Sequence, residues 1–99
     1  MSEILQHREA GVPTLTFNRL AKHNAITTAM YTRLAEELEA ATADDSVRVA
    51  VIQGAVEIFT AGNDLADFLN NPPVSKPGAE VPPVVRFLNA IRDFPKPIV

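Results

Sequence analysis

Apolar and polar positions alternate with a period of two at the start of the chain and change to a helical period after residue 26. Residues 4–9 and 12–18 read as two strands around Gly11, a hairpin, with Leu15 and Phe17 on one face and Thr14 and Thr16 on the other. Residues 19–25 are polar and irregular. Over residues 27–42, Met30, Leu34, Leu38 and Ala41 recur at i, i+4, i+8 and i+11, and Ala35 widens the stripe. Thr27 or Thr28 is the expected cap, and the segment Ala43-Asp44-Asp45-Ser46 the expected stop. Residues 47–53 are β-branched and nearly continuously apolar, which predicts a strand covered on both faces. Strand, helix and strand in this order make a βαβ unit, hence an α/β fold with a right-handed crossover.

Past Gly54 the pattern predicts a short strand over residues 57–60, a turn over 61–64 and a helical turn over 65–69. Proline then changes the picture: seven of the eight prolines lie at or after Pro72, and five fall between Pro72 and Pro83. Residues 70–82 therefore read as a flexible, exposed, proline-rich loop, since proline neither continues a helix nor donates to a ladder. Val84, Phe87, Leu88 and Ile91 restore the helical spacing, with Pro82 or Pro83 at its first position and Asp93-Phe94-Pro95 ending it. Lys96-Pro97-Ile98-Val99 opens an apolar strand, and the expectation is that the chain is the N-terminal part of something longer.

Composition narrows the class. The 99 residues are 46% hydrophobic and 21% charged, with 9 basic residues against 12 acidic ones and a net charge of -3. Such a chain can bury a core, unlike a disordered one, and carries no basic cluster to suit a nucleic acid. No cysteine is present, which removes disulfides, thiol nucleophiles and thiolate metal sites. Met1-Ser2-Glu3 has no basic n-region and no apolar run approaches the ~20 residues of a membrane helix, so no secretory signal, a cytoplasmic location and no membrane partner are expected. Neither His7 nor His23 has metal-ligand neighbours in sequence, so no metal is expected. The carboxylate pairs Glu36-Glu37 and Asp44-Asp45 read as a solvated helix face and a helix end.

One segment is suited to chemistry. In Ile58-Phe59-Thr60-Ala61-Gly62-Asn63-Asp64-Leu65 a strand stops, a glycine turns the backbone and a short helix begins. At such a junction backbone N–H groups without intrahelical acceptors can meet a developing negative charge, although the residue types alone also suit an ordinary turn.

Three ordered motifs add to this. Asn18-Arg19-Leu20-Ala21-Lys22-His23-Asn24-Ala25-Ile26 resembles the N-R-P-x-x-x-N-A-L/I signature of the crotonase superfamily, which includes enoyl-CoA hydratases and isomerases. Phe59-Thr60-Ala61-Gly62-Asn63-Asp64-Leu65 resembles its F-[ST]-[AS]-G-x-D-[LI] turn, and Lys96-Pro97-Ile98-Val99 the start of its K-P-[VI]-[IV]-A strand. Leu20 stands where the family usually has proline. The resemblance implies an α/β crotonase-like spiral of repeated ββα units, with residues 1–99 the N-terminal half of one domain.

It also implies an acyl-CoA thioester as substrate and a thioester enolate stabilised by two backbone amides. The first would be the Asn63 N–H, with the side chain replaceable. Ala61 would approach the adenine through its main chain, and Lys22 would lie beside the coenzyme A phosphates and pantetheine arm. Gly62, Asp64, Leu65 and Phe68 complete the implied substrate-contacting set, with Asp64 capping the helix. Phe87 and Leu88 are further candidates for an acyl pocket, though for Phe68, Phe87 and Leu88 alike core packing is the better account. No cofactor is implied, because coenzyme A is part of the substrate. The full-length form would be a homotrimer or homohexamer.

The second oxyanion amide and the catalytic glutamates would follow Val99, and none of Glu36, Glu37, Glu57 or Glu80 matches their positions. The 99 residues alone are therefore expected to be inactive. Hydration, which uses two carboxylates, and Δ3,Δ2 double-bond isomerisation, which manages with one, both stay open. The Ala-Gly-Asn-Asp-Leu turn is similar to the isomerase-type S-G-N-D-L. Thioesterase, dehalogenase and decarboxylase relatives share this half, and a non-catalytic acyl-CoA-binding or assembly module is the reading from another class.

Overall fold

The computed structural model describes residues 2–74, 78 and 80–99. The hairpin forms as the alternation predicts. Strands β1 (Ile4–Glu9) and β2 (Val12–Phe17) pair antiparallel, from Ile4 opposite Phe17 to Glu9 opposite Val12. Ala10 and Gly11, with φ of 51° and 78°, make the two-residue turn whose twist suits paired strands. A Cβ on Gly11 would also sit 2.6 Å from the Ser46 carbonyl oxygen.

Helix α1 (Thr28–Thr42) is capped by Thr27, whose side chain accepts from the Met30 N–H at 3.2 Å. The predicted stripe is the buried one: Met30, Leu34, Ala35, Leu38 and Ala41. Strand β3 (Val51–Gln53) then runs parallel beside β2, with Leu15 opposite Ile52, in the sheet order β1-β2-β3. The βαβ unit is therefore present, but the strand expected over 47–53 is shorter. Arg48 donates its N–H to the Gly11 carbonyl at 2.9 Å, so residues 47–49 follow the hairpin turn and not the ladder. Val51 and Ile52 are half-buried, which corrects the expectation of cover on both faces.

No strand forms over residues 57–60. The Ala55 N–H donates to the Ile58 carbonyl at 3.0 Å, folding this stretch into a bend with no sheet edge beside it. Phe59 is held there by an edge-on contact with Phe17 at 5.2 Å. Helix α2 (Leu65–Asn70) runs one residue past the expected end, and helix α3 (Pro83–Arg92) starts with Pro83 at its first position, as expected. Of the proline-rich loop, Ser75, Lys76, Pro77 and Ala79 lie outside the described residues.

Two adjoining clusters make the core. Ile4, Leu15, Phe17, Ile26, Met30 and Leu34 join the hairpin to the first half of α1. Leu38, Ala41, Val47, Ala50, Ala90 and Phe94 join its second half to α3, and Phe87 packs against both. Full burial of a side chain such as Leu34 contributes about 1.5–3 kcal/mol, and Met30, Leu34 and Leu38 of this stripe are all buried. Arg86 adds a two-pronged ion pair to Glu39 at 2.6 and 2.8 Å across the α1–α3 contact.

The last residues extend the sheet. Ala50 bridges Ile98 in parallel, with Ala50 N–H donating to Pro97 at 3.0 Å and Val99 N–H donating to Ala50 at 2.9 Å. Lys96 turns its ammonium onto the C-terminal end of α1, donating to the carbonyls of Ala41 at 2.8 Å and Asp44 at 2.6 Å. Among the described residues, no helix is long and apolar enough to cross a membrane.

Candidate functional site

The site begins where β2 stops. Asn18 donates to the Ser2 carbonyl at 3.0 Å, and a single 3-10 turn over Leu20–Lys22 follows. His23 and Asn24 then take left-handed φ values of 54° and 56°. Asparagine is among the few non-glycine residues that adopt this conformation readily. Asn24 is also fully buried and fully used. Its Oδ1 accepts from the Arg19 N–H at 2.8 Å, and its Nδ2 donates to the carbonyls of Phe59 at 3.2 Å and Ile58 at 3.4 Å. One side chain thereby closes the loop on itself and fixes the bend at residues 58 and 59 against it.

The turn that follows is built on that bend. Thr60 donates its hydroxyl to the Asn24 carbonyl at 2.6 Å and accepts from the Gly62 N–H at 3.1 Å. Gly62 has φ +91° with open space around it, so conformation and not crowding demands a glycine. Ile26 then takes both neighbours of Asn63: its N–H donates to the Gly62 carbonyl at 2.8 Å, and its carbonyl accepts from the Asp64 N–H at 2.9 Å. In a parallel bridge of this kind the intervening residue turns its own N–H and C=O the other way. The Asn63 N–H accordingly points away from Ile26 and meets no acceptor among the described residues. Its orientation comes from this bridge. Asp64, not Asn63, is the N-cap of α2, so the free amide lies one residue before the cap instead of within the first turn of the helix.

Charge fixes the same turn from the other side. Asp64 Oδ1 accepts from the Asp67 N–H at 2.9 Å, which makes it the cap expected from the sequence. Its Oδ2 lies 2.7 Å from Arg19 Nη1. That nitrogen also donates to the Ala25 carbonyl at 2.9 Å, and Arg19 Nε reaches Glu3 at 2.9 Å. The Asp67 amide first, and then the Arg19 guanidinium, hold the Asp64 carboxyl below its ordinary value, with a smaller contribution from the charge of Lys22. Asp64 in turn raises Arg19. The ion pair is structural: both groups are spent on each other and on the backbone.

Beside Asn63 opens a cavity of about 370 Å³, lined by Ile26, Tyr31, Asn63, Phe68, Val81 and Val84 among others. Of the residues singled out from sequence, Asn63, Asp64 and Phe68 reach this cavity, and so does Glu80. Leu65 does not: it is 77% exposed and no part of the lining. Ala61 and Lys22 are exposed outside the cavity, on the turn and on the loop that carry its edge. Phe87 packs into the core, and Leu88 faces solvent at 57% exposure, so neither lines the cavity. Arg19, Asn24 and Tyr31 are the residues sequence reasoning passed over. The first two stand in the very motif that drew attention to Lys22, and Tyr31 lies on the helix stripe's flank.

The enoyl-CoA hydratase/isomerase family model matches residues 7–99. The chain belongs to the enoyl-CoA hydratase/isomerase family. It is 39% identical over 98 residues to enoyl-CoA delta isomerase 2 of Rattus norvegicus, covering 97% of this chain and 25% of the isomerase. It is 46% identical over 65 residues to 2,3-dehydroadipyl-CoA hydratase of Escherichia coli, covering 66% of this chain and 26% of that protein. Its fold superposes on the structure of Pseudomonas aeruginosa OdaA with a TM-score of 0.86 at 46% identity, covering 99% of this chain and 38% of OdaA. The crotonase-like α/β fold expected from the motifs is thus the fold observed. The chain spans well under half the length of each of these relatives.

Proposed function

We propose that these residues form the acyl-CoA-binding half of an active site, in which the Asn63 N–H donates a hydrogen bond to the thioester oxygen on which negative charge develops. The observation that carries this reading is the Asn63 amide, which points away from Ile26 and meets no acceptor among the described residues, on a residue that lines the cavity. A fixed donor of this kind costs no reorganisation when charge appears, and removing one typically lowers turnover by about 10²–10³. Deprotonation next to a thioester carbonyl, whether in hydration or in double-bond migration, makes that charge. The apolar wall formed by Ile26, Phe68, Val81 and Val84 suits the acyl chain, and the exposed Lys22 suits the coenzyme A phosphates. Proton transfer and charge stabilisation suffice for this chemistry, so coenzyme A enters as part of the substrate. Isomerisation has one observation in its favour: the Rattus norvegicus delta isomerase matches nearly the whole chain, whereas the Escherichia coli hydratase matches two-thirds of it.

The test is a pair of substitutions in the full-length protein. Asn63→Ala keeps the N–H and is expected to lose no more than about tenfold in turnover of an enoyl-CoA thioester. Asn63→Pro deletes the N–H and is expected to lose ~10²–10³. Circular dichroism establishes that both variants fold. Equal losses in two folded variants would make the side chain the working group and refute the amide assignment.

A further inference from the structure

Helix α1 grips the turn that carries the free amide and the helix α2 behind it at two points. At one, the Thr28 N–H and hydroxyl both donate to Asp67 Oδ2, at 2.7 and 2.6 Å. At the other, the Tyr31 hydroxyl donates to Asn63 Oδ1. The phenol ring is itself held: it is half-buried and lies against Phe87 with centroids 5.5 Å apart. Tyr31 is therefore a rigid strut from the core to the cavity wall, and its polar end meets the residue whose amide faces outward. Neither the helix stripe nor the motifs assign it a task.

The strut matters because the rest of the turn leaves one motion open. Ile26 and Asn63 make an isolated bridge, with no ladder continuing on either side, and Gly62 lies immediately before it at φ +91°. Two hydrogen bonds to one residue fix which way the Asn63 N–H points, yet they allow the peptide plane to rock about the line joining them. A third attachment through the side chain stops that rocking. We propose that Tyr31 is a positioning residue: by holding the Asn63 carboxamide it fixes the angle at which the Asn63 N–H meets a thioester oxygen. This rests on the oxyanion reading above. Tyr31 touches neither reacting atom, and its effect is on the direction of the donor. Hydrogen bonds weaken steeply with misalignment, and small displacements at a reacting centre cost up to about 10²-fold in rate, so a loss of roughly tenfold is expected from a donor that is loosened but present.

The experiment uses the full-length protein and cinnamoyl-CoA, a conjugated thioester whose absorbance moves to the red when a donor polarises its carbonyl. Tyr31→Phe keeps the ring on Phe87 and removes only the hydroxyl. It is expected to shrink the red shift and lower kcat roughly tenfold, with KM within about twofold and Tm unchanged within the scatter of repeats. Asn63→Ala cuts the same link from the other end and should give the same losses. The double variant should be no worse than either single one, as for two halves of one interaction. Should Tyr31→Phe fold poorly, Asn63→Ala compared with Asn63→Asp, which keeps an acceptor for the Tyr31 hydroxyl, still decides the matter. A red shift and kcat left intact by both variants would overturn the positioning role alone. A wild-type protein that binds cinnamoyl-CoA without any red shift would overturn the oxyanion reading, and the role of Tyr31 with it.

Discussion

Arg19 Nη1 lies 2.7 Å from Asp64 Oδ2, across 45 residues of sequence, and joins the loop after β2 to the cap of α2. The two motifs that make the family resemblance are therefore bonded to each other. Glu3 and the Ala25 carbonyl share the same guanidinium, so its loss would free three acceptors together.

Replacing Arg19 by Met keeps the aliphatic stem and removes all of these bonds. Charge-assisted hydrogen bonds contribute more than neutral ones, but Arg19 is partly solvated, so the expected loss is about 1–2 kcal/mol of unfolding free energy. Urea unfolding monitored by circular dichroism checks this. An unchanged midpoint would show that the ion pair only accompanies a turn held by other means.

Asn24 should matter more to stability than any residue near it. Asn24→Ala leaves the Arg19 N–H and the carbonyls of Ile58 and Phe59 without their partner and places alanine at φ +56°. Buried groups left unpaired cost about 1–3 kcal/mol each before relaxation, and a total near 3 kcal/mol is expected. Asn24→Asp, which keeps the acceptor but not the donor, should fall between wild type and alanine in the same urea titration.

Lys96 gives the family's lysine-proline motif a structural task. With its ammonium on the Ala41 carbonyl in the last turn of α1 and on the Asp44 carbonyl just beyond the helix, Lys96→Met should cost about 1–2 kcal/mol and raise amide hydrogen exchange over residues 38–42. Exchange confined to α3 would contradict the assignment.

Acid should destabilise the fold at a defined point. Ser46, through its hydroxyl and its N–H, and then Arg8 hold the Asp44 carboxyl down to about 2 from 3.8. Asp64 is held low as well, by the Asp67 amide and Arg19. A carboxyl that is more acidic folded than unfolded stabilises the native state fully above its unfolded value. That contribution disappears as pH falls through the folded value. The urea midpoint should therefore be level between about pH 5 and 7 and drop between about pH 4 and 2. Asp44→Asn should flatten part of the drop. A steep fall already above pH 5 would point to other groups.

The fold was largely legible because its elements have clean periods. The α1 stripe, the hairpin and the proline start of α3 all lie where spacing puts them. Residues 57–60 misled because Ile58 and Phe59 have strand-like side chains, whereas their carbonyls are claimed by one asparagine 34 and 35 positions earlier. No local pattern shows a contact of that range. Leu65 shows a different limit: its motif position implies contact with substrate, and its place on α2, exposed and outside the cavity, could not be read from the motif. Tyr31 gives no sign in the sequence because its hydroxyl acts on a residue 32 positions away.

The bridge between Ile26 and Asn63 makes the direction of the amide a matter of parity. Gly62 and Asp64 face one side and Asn63 the other, as odd and even members of an extended chain must. Changing the side chain at 63 leaves that count alone, whereas inserting or deleting a single residue between Gly62 and Asp64 would aim the donor into the protein. The side chain at this position thus tunes how firmly the donor is held, whereas the number of residues around it decides which way the donor faces.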